Sequence, residues 1–136
     1  MFRTLDVSAS GLAAQRLRID TIAGNIAHSH TTQNEKGELS PFQRRLVVLE
    51  AQHEAAAQTR GVGVNATVDI DSQTPPRKVL DPGHPHADAD GYVSYPNVNV
   101  ITEFVNAMEA SRAYEANIST MQVTRDMIET TYKLLG

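Results

Sequence analysis

Large apolar residues recur every seven positions near the start of the chain, at Leu5, Leu12, Ile19 and Ile26. Ala9, Ile22 and Ala23 widen that row into a stripe on one face of a helix. The spacing predicts an amphipathic helix from about Leu5 to Ala27, ended by the polar run AHSHTT. Gly11 and Gly24 each weaken such a helix by roughly 1 kcal/mol relative to Ala. A helix of this kind needs a partner to be stable in water.

A second helical pattern fills the end of the chain. From Asn97 to Leu135 there is neither Gly nor Pro. Asn99 and Thr102 are both N-cap candidates, and Glu103 lies in the first turn. Ile101, Phe104, Met108, Ser111, Glu115, Ile118, Met121, Arg125, Ile128, Tyr132 and Leu135 step by threes and fours. Ser111, Glu115 and Arg125 interrupt the row, so it is no strict zipper. At about 1.5 Å per residue the segment spans roughly 50 Å.

Between these helices the period changes, and all six prolines fall there. FQRRLVVLEAQ, from Phe42, is rich in strand formers. In VGVNATVDID, Val62, Val64, Ala66, Val68 and Ile70 alternate with Gly63, Asn65, Thr67 and Asp69, the pattern of a half-buried strand. TPPRKVLDP offers a short edge strand, where proline is tolerated. DPGHPHADADGYVSYPNV is dense in turn formers and is expected to be an ordered loop. The expected fold class is therefore mainly α with a small β-containing insert. Residues 1–30 and 97–136 form an antiparallel, coiled-coil-like pair of terminal helices, and 31–96 form the β lobe.

Antiparallel pairing brings the two chain ends together, and the N-terminal stripe finds its first partner in the C-terminal one. Residues 1–27 carry a net charge of +1 and residues 97–136 a net −2, so the pairing is electrostatically compatible. Yet two helices share one seam, and Ala13, Leu17, Val105, Val123, Met127 and Leu134 lie off it. Exposed apolar surface on that scale marks a partner. The lobe is too small to cover the long C-terminal helix, so other subunits are expected to.

Composition narrows the function classes. The chain has 136 residues, 5% aromatics and no Trp, thin material for a thick core. Net charge is −4 with no basic run, against a nucleic-acid partner. The absence of cysteine removes disulfides, zinc thiolates and thiol nucleophiles. Asp6, Arg16, Arg18 and Asp20 break up the N-terminus where a cleaved signal would need an apolar run. The longest such run, LVVL at 46–49, is far too short to cross a bilayer.

Candidate chemistry is sparse. His28 and His30, and His84 and His86, form two His-x-His pairs, with Asp81, Asp88 and Asp90 near the second. They would support a small metal-dependent enzyme if three or four ligands converged. The opposing reading is four histidines in turns. DADADG hints at a calcium loop, but aligning Gly91 with the loop glycine puts His86 and Asn97 where Asp and Glu belong. A turn with Gly91 in the left-handed region explains it as well. No G-x-S-x-G occurs, and GVGVN lacks the lysine of a phosphate loop. Asn25 and Asn117 are amides among apolar helical neighbours, either exposed or hydrogen-bonded across a helix interface. Arg112 and Tyr114 are either a solvated face or interface anchors. A soluble coiled-coil adaptor is the third reading.

Longer stretches carry a resemblance. SGLAAQRLRIDTIAGNIAHSHTT, then DPGHPHADADGYVSYPNVNVITEFVNAMEASRAYEANISTM, together with the terminal helices, resemble the FlgC family of bacterial flagellar basal-body rod proteins. GYVSYPNVN followed by EASRAYEAN separates that family from rod and hook relatives that share mainly the terminal helices. The departures are NIAHSHTT for a usual NIANANTT-like ending, HPHADAD for HPDAD, and Arg125 for a lysine. The resemblance implies a non-enzymatic axial protein of the proximal rod, without cofactor, metal, nucleic acid or small-molecule substrate. It implies export in the unfolded state by the flagellar type III apparatus, without signal cleavage. It also implies assembly in the periplasm with further copies and other rod proteins into a shaft that transmits torque. The helix-packing and subunit-interface candidates are Leu5, Leu12, Ile19, Ile22, Asn25 and Ile26 on the first helix. On the second they are Ile101, Phe104, Met108, Arg112, Tyr114, Asn117, Ile118, Met121, Ile128 and Tyr132.

Overall fold

The computed structural model describes residues 2–52 and 63–135, with backbone alone for 2–3. Val62 and Gly136, which take part in the expected strand and helix end, and Gly61 of GVGVN lie outside the described residues. Six elements follow in order: α1 (Phe2–Ala27), β1 (Arg45–Ala51), β2 (Val64–Ile70), β3 (Arg77–Leu80), β4 (Tyr92–Tyr95) and α2 (Val100–Leu135). The fold is mainly helical, with an insert of two antiparallel strand pairs.

Asn99 is the N-cap of α2. Its Oδ1 accepts from the backbone N–H groups of Ile101 and Thr102, at 3.0 and 3.2 Å. The helix then runs 36 residues, about 54 Å at 1.5 Å per residue. No helix among the described residues is long and apolar enough to cross a membrane.

β1 pairs with β2 from Arg45↔Ile70 to Ala51↔Val64. β3 pairs with β4 from Arg77↔Tyr95 to Leu80↔Tyr92. Strand β4 lies inside the stretch expected to be a loop. Four residues are too few for alternation to stand out among turn formers. Tertiary contact supplies the rest: Val93 is completely buried, and Pro96 directly after it ends the strand. The turn before β4 is the one DADADG allows. Gly91 has φ +81° and donates to the Asp88 carbonyl, while Asp88 Oδ1 accepts from the N–H groups of Asp90 and Tyr92.

The helices run antiparallel, since Gly11 lies beside Asn117 and Asn25 beside Glu103. The β1–β2 pair lies along α1. Seven strand residues and the sixteen helix residues from Ser10 to Asn25 each cover roughly 20 Å, so the two ends match. The buried apolar residues among those described are few: Ala14, Ile22, Val93 and Ala110. The chain exposes 9810 Å². A globular chain of its mass exposes about 7,000 Å².

Candidate functional site

Contact between α1 and α2 is made largely by small and polar side chains, with Ile22, Tyr114, Met121 and Ile128 among them. On α2 the residues turned toward α1 are Glu103, Ala107, Ala110, Tyr114, Asn117, Met121, Thr124 and Ile128. Their spacing alternates four and three, the period of a coiled-coil seam. The facing row on α1 includes Ser8, Gly11, Ile22 and Asn25, with Ala14 buried on its flank. Gly11 is placed so that an added Cβ would come within 3.1 Å of the Asn117 amide. Glycine there leaves room for the Asn117 side chain against α1.

Asn25 is the hub of this seam and is 1% exposed. Its Nδ2 donates to the Arg45 carbonyl at 2.8 Å and to Glu103 Oε2 at 3.3 Å. Its Oδ1 accepts from the Arg45 N–H at 2.9 Å. One amide thus satisfies both backbone groups on the outer edge of β1 at Arg45 and reaches across to α2. Glu103, also 1% exposed, accepts from the Arg44 guanidinium at 2.6 and 2.8 Å. A buried carboxylate is tolerable only with such a partner. Three elements are therefore clamped at one end of the helix pair.

At the other end Ser10 does the equivalent. Its Oγ donates to the Val7 carbonyl at 2.7 Å and accepts from the Val64 N–H at 3.0 Å, fastening β2 to α1. Gly63 sits against it, with room for no side chain: a Cβ would lie 2.8 Å from Ser10 Oγ. Arg18 reaches Glu109 on α2 at 3.1 Å, a surface pair of small worth.

Several large apolar residues of α2 point elsewhere. Ile101 is 77% exposed, and Phe104, Val105 and Met108 are more than half exposed. The expected pairing of the two large apolar stripes face to face is thus corrected. Phe104, Ser111, Ile118 and Arg125 each follow a seam residue, which turns them about a quarter turn away from α1. On α1, Leu5, Leu12, Ile19 and Ile26 follow the seam in the same way and are partly exposed, while Ala9 and Ala23 are exposed. With the helices antiparallel, both stripes fall on one flank of the pair, opposite the flank that carries β1 and β2.

Of the other candidates, Ile22 and Asn25 are buried, and Tyr114, Asn117, Ile118, Met121 and Ile128 are partly buried. Arg112 is exposed, as is Tyr132 at 67%. Glu103, Arg44, Ser10, Ala14 and Ala110 were not among the candidates, although they organise the packing. For Glu103 and Ala110 the signal is the four-three row on α2, on which Asn117 also sits; nothing local in the sequence marks Arg44, Ser10 or Ala14.

The histidine pairs are spread along loop contacts. His28 stacks on Phe42 at 4.8 Å between ring centroids, with Nδ1 3.2 Å from Thr31 Oγ1. Both ring nitrogens of His86 are engaged, each at 2.7 Å, by Thr32 Oγ1 and Gln33 Nε2. His84 accepts from the His86 N–H through Nδ1 at 3.1 Å, and His30 and His84 set their rings edge-on to Tyr95. The cluster ties the segment after α1 to β4. Among the described residues no group of three or more His, Asp or Glu is placed to hold a metal ion.

Comparison with known proteins gives the same picture at both ends of the chain. A family model described as "Flagella basal body rod protein" matches residues 5–32. One described as "Flagellar basal body rod FlgEFG protein C-terminal" matches residues 89–134. A flagellar basal-body rod protein FlgC of Salmonella typhimurium is 37% identical over 134 residues, covering 98% of this chain and 97% of its own length. The protein of the same name in Bacillus subtilis is 34% identical over 139 residues, covering 93% of each chain. That of Aquifex aeolicus is 36% identical over 133 residues, covering 98% and 96%.

Proposed function

Since the chain belongs to the FlgC family of flagellar basal-body rod proteins, we propose that its outward apolar stripes are the surfaces through which it joins the rod. It is a structural subunit of the flagellar basal body. In this reading it assembles with other rod proteins and with further copies of itself, in the proximal part of a shaft that crosses the periplasm and transmits torque. It passes the flagellar export apparatus unfolded and keeps its N-terminus.

One observation carries the reading: the best-buried seam residues, Ser8, Ile22, Asn25, Glu103, Ala110 and Thr124, are mostly small or polar, whereas Ile101, Phe104, Val105 and Met108 face out. A monomeric fold has no use for that arrangement, because burial of large apolar residues is the main source of stability, at about 25 cal/mol per Å². A subunit does. Its internal seam sets the shape, and its neighbours supply the burial. The small core also suits a chain that is threaded unfolded and gains order on docking.

The test is Met108→Asp, with Ile19→Asp beside it, in a flagellated host lacking its own copy. Both variants are expected to be exported and to leave the cells non-motile, with no rod beyond the point of insertion. Normal motility in both would overturn the reading.

A further inference from the structure

Each strand pair leaves one edge open. The Asp71 N–H donates to the Arg44 carbonyl and the Gln52 N–H to the Gly63 carbonyl, so Arg44 and Gln52 bond toward β2. By alternation Arg45, Val47, Leu49 and Ala51 turn their backbone groups outward. Asn25 takes those of Arg45. On β3 the Asp81 N–H donates to the Gly91 carbonyl, so Lys78 and Leu80 are the outward residues. Among the described residues nothing bonds to the outward groups of Val47, Leu49, Lys78 or Leu80. The opposite edges are guarded. On β2 Ser10 takes the Val64 N–H and Asp69 the Ile70 N–H. On β4 Asp88 meets both backbone groups of Tyr92.

A two-stranded ribbon is marginal by itself, and an unpaired edge is a template for a further strand. We propose that the outer edge of β1 pairs antiparallel with the outer edge of β3 in a second copy of the chain, joining two ribbons into one sheet. The proposal rests on the rod reading for the meeting of copies, and it names a contact away from the terminal helices.

Charge and free backbone groups select one register. With Lys78 opposite Leu49 and Leu80 opposite Val47, every outward group finds a partner. Arg77 then lies opposite Glu50 and Val79 opposite Val48, in the close pairs where cross-strand side chains interact most. All four are exposed in the single chain. Asp81 follows opposite Leu46, at the groove that Leu46 and Val47 share with Arg18, Arg44 and Arg45. Sliding β3 so that Lys78 faces Ala51 puts Val79 against Glu50 and loses both charge matches. Sliding it the other way runs Leu80 into Arg45, whose groups Asn25 already holds. Two β3 edges are the rival pairing. Arg77 would meet Asp81 there, but Leu80 would face Lys78 twice, and the pair closes on itself. β1 and β3 are different surfaces of one copy, so their contact repeats head to tail, the type from which open helical assemblies are built.

Cysteine cross-linking of the purified full chain tests this, because the sequence has no cysteine of its own. Val48→Cys and Val79→Cys are made separately, one of them isotopically labelled, then mixed, oxidised and read by mass spectrometry. In the proposed register the two sites lie about 4.5 Å apart at Cα, within the span of a disulfide. A mixed dimer in several-fold excess over either self-linked dimer is expected. Adding Glu50→Lys to the first variant should abolish it, and adding Arg77→Glu to the second should then restore it, which a misfolded chain would not do. Links between like positions only, no link at all, or a mixed dimer indifferent to both charge changes would each overturn the proposal. Those results leave the rod reading intact, since that is decided by the motility of Met108→Asp and Ile19→Asp cells.

Discussion

Asn25→Asp changes one atom of the clamp and nearly nothing of its shape. In place of the Nδ2 donor it puts a carboxylate oxygen 3.3 Å from Glu103 Oε2 and 2.8 Å from the Arg45 carbonyl. Two unit charges at that separation repel by about 5 kcal/mol at an effective dielectric of about 20. The Arg44 guanidinium, 2.6 Å from Glu103, takes back part of this. The Arg45 carbonyl loses its donor, which costs about 1–3 kcal/mol. The sum is about 4–6 kcal/mol, against total stabilities of about 5–15 kcal/mol for a domain. Asn25→Ala removes the same bonds without adding a charge and should cost about 2–3 kcal/mol.

The assay is urea unfolding followed by circular dichroism at neutral and mildly acidic pH. At neutral pH the expected order of stability is wild type, then Asn25→Ala, then Asn25→Asp. The new carboxyl is held among negative charge in the folded state, so it takes up a proton at a higher pH folded than unfolded. Across that window the folded state binds more protons, so stability falls as pH rises and recovers on acidification. The gap between the two variants should therefore close as pH falls toward the ordinary carboxylate range. If Asn25→Asp is no less stable than Asn25→Ala at neutral pH, the buried amide–carboxylate contact is not what joins α1, β1 and α2.

Three further outcomes follow from close approaches and from a turn. Gly63→Ala forces a Cβ to 2.8 Å from Ser10 Oγ, which is fixed by two hydrogen bonds, and should cost about 1–3 kcal/mol in the same unfolding assay. Gly11→Ala meets only the side-chain end of Asn117, at 3.1 Å, and should be close to neutral, because alanine favours the helix by about 1 kcal/mol. The Asp71 carboxyl is held below its ordinary value, first by the side-chain hydrogen bond from Thr74 and then by the Thr74 backbone N–H. Its contribution is present above the ordinary carboxylate range and is lost as pH falls through the lowered value. A carbon-detected titration should show Asp71 protonating below the ordinary carboxylate range, and Thr74→Ala, which removes the side-chain bond but keeps the backbone N–H, should bring it part of the way back.

The sequence by itself determined the parts of this molecule. Long stretches without proline, and apolar residues at helical spacing, give two terminal helices because a helix presents every third or fourth residue on one face. Alternation in VNATVDI gives β2 for the equivalent reason at period two. Asn99 as a cap and Gly91 in the left-handed region follow from side-chain chemistry that acts within a few residues. The long quoted stretches at both ends also carried the family.

Only the tertiary structure decided which face of each helix turns inward. Hydrophobic spacing marked the row through Leu12 and Ile19 and the row through Phe104 and Met108, and these lie on the open flank. The seam uses the adjacent row of Gly11, Asn25, Glu103, Ala110 and Asn117, which no hydropathy pattern singles out. Small residues let backbones come close, and an amide and a carboxylate can be buried only where distant groups satisfy them. Those partners, Arg44 and the edge of β1 at Arg45, are about twenty residues from Asn25 and nearly sixty from Glu103 in the chain. Local pattern holds no information at that range. β4 was hidden for the same reason, because four residues become a strand only when β3 lies beside them.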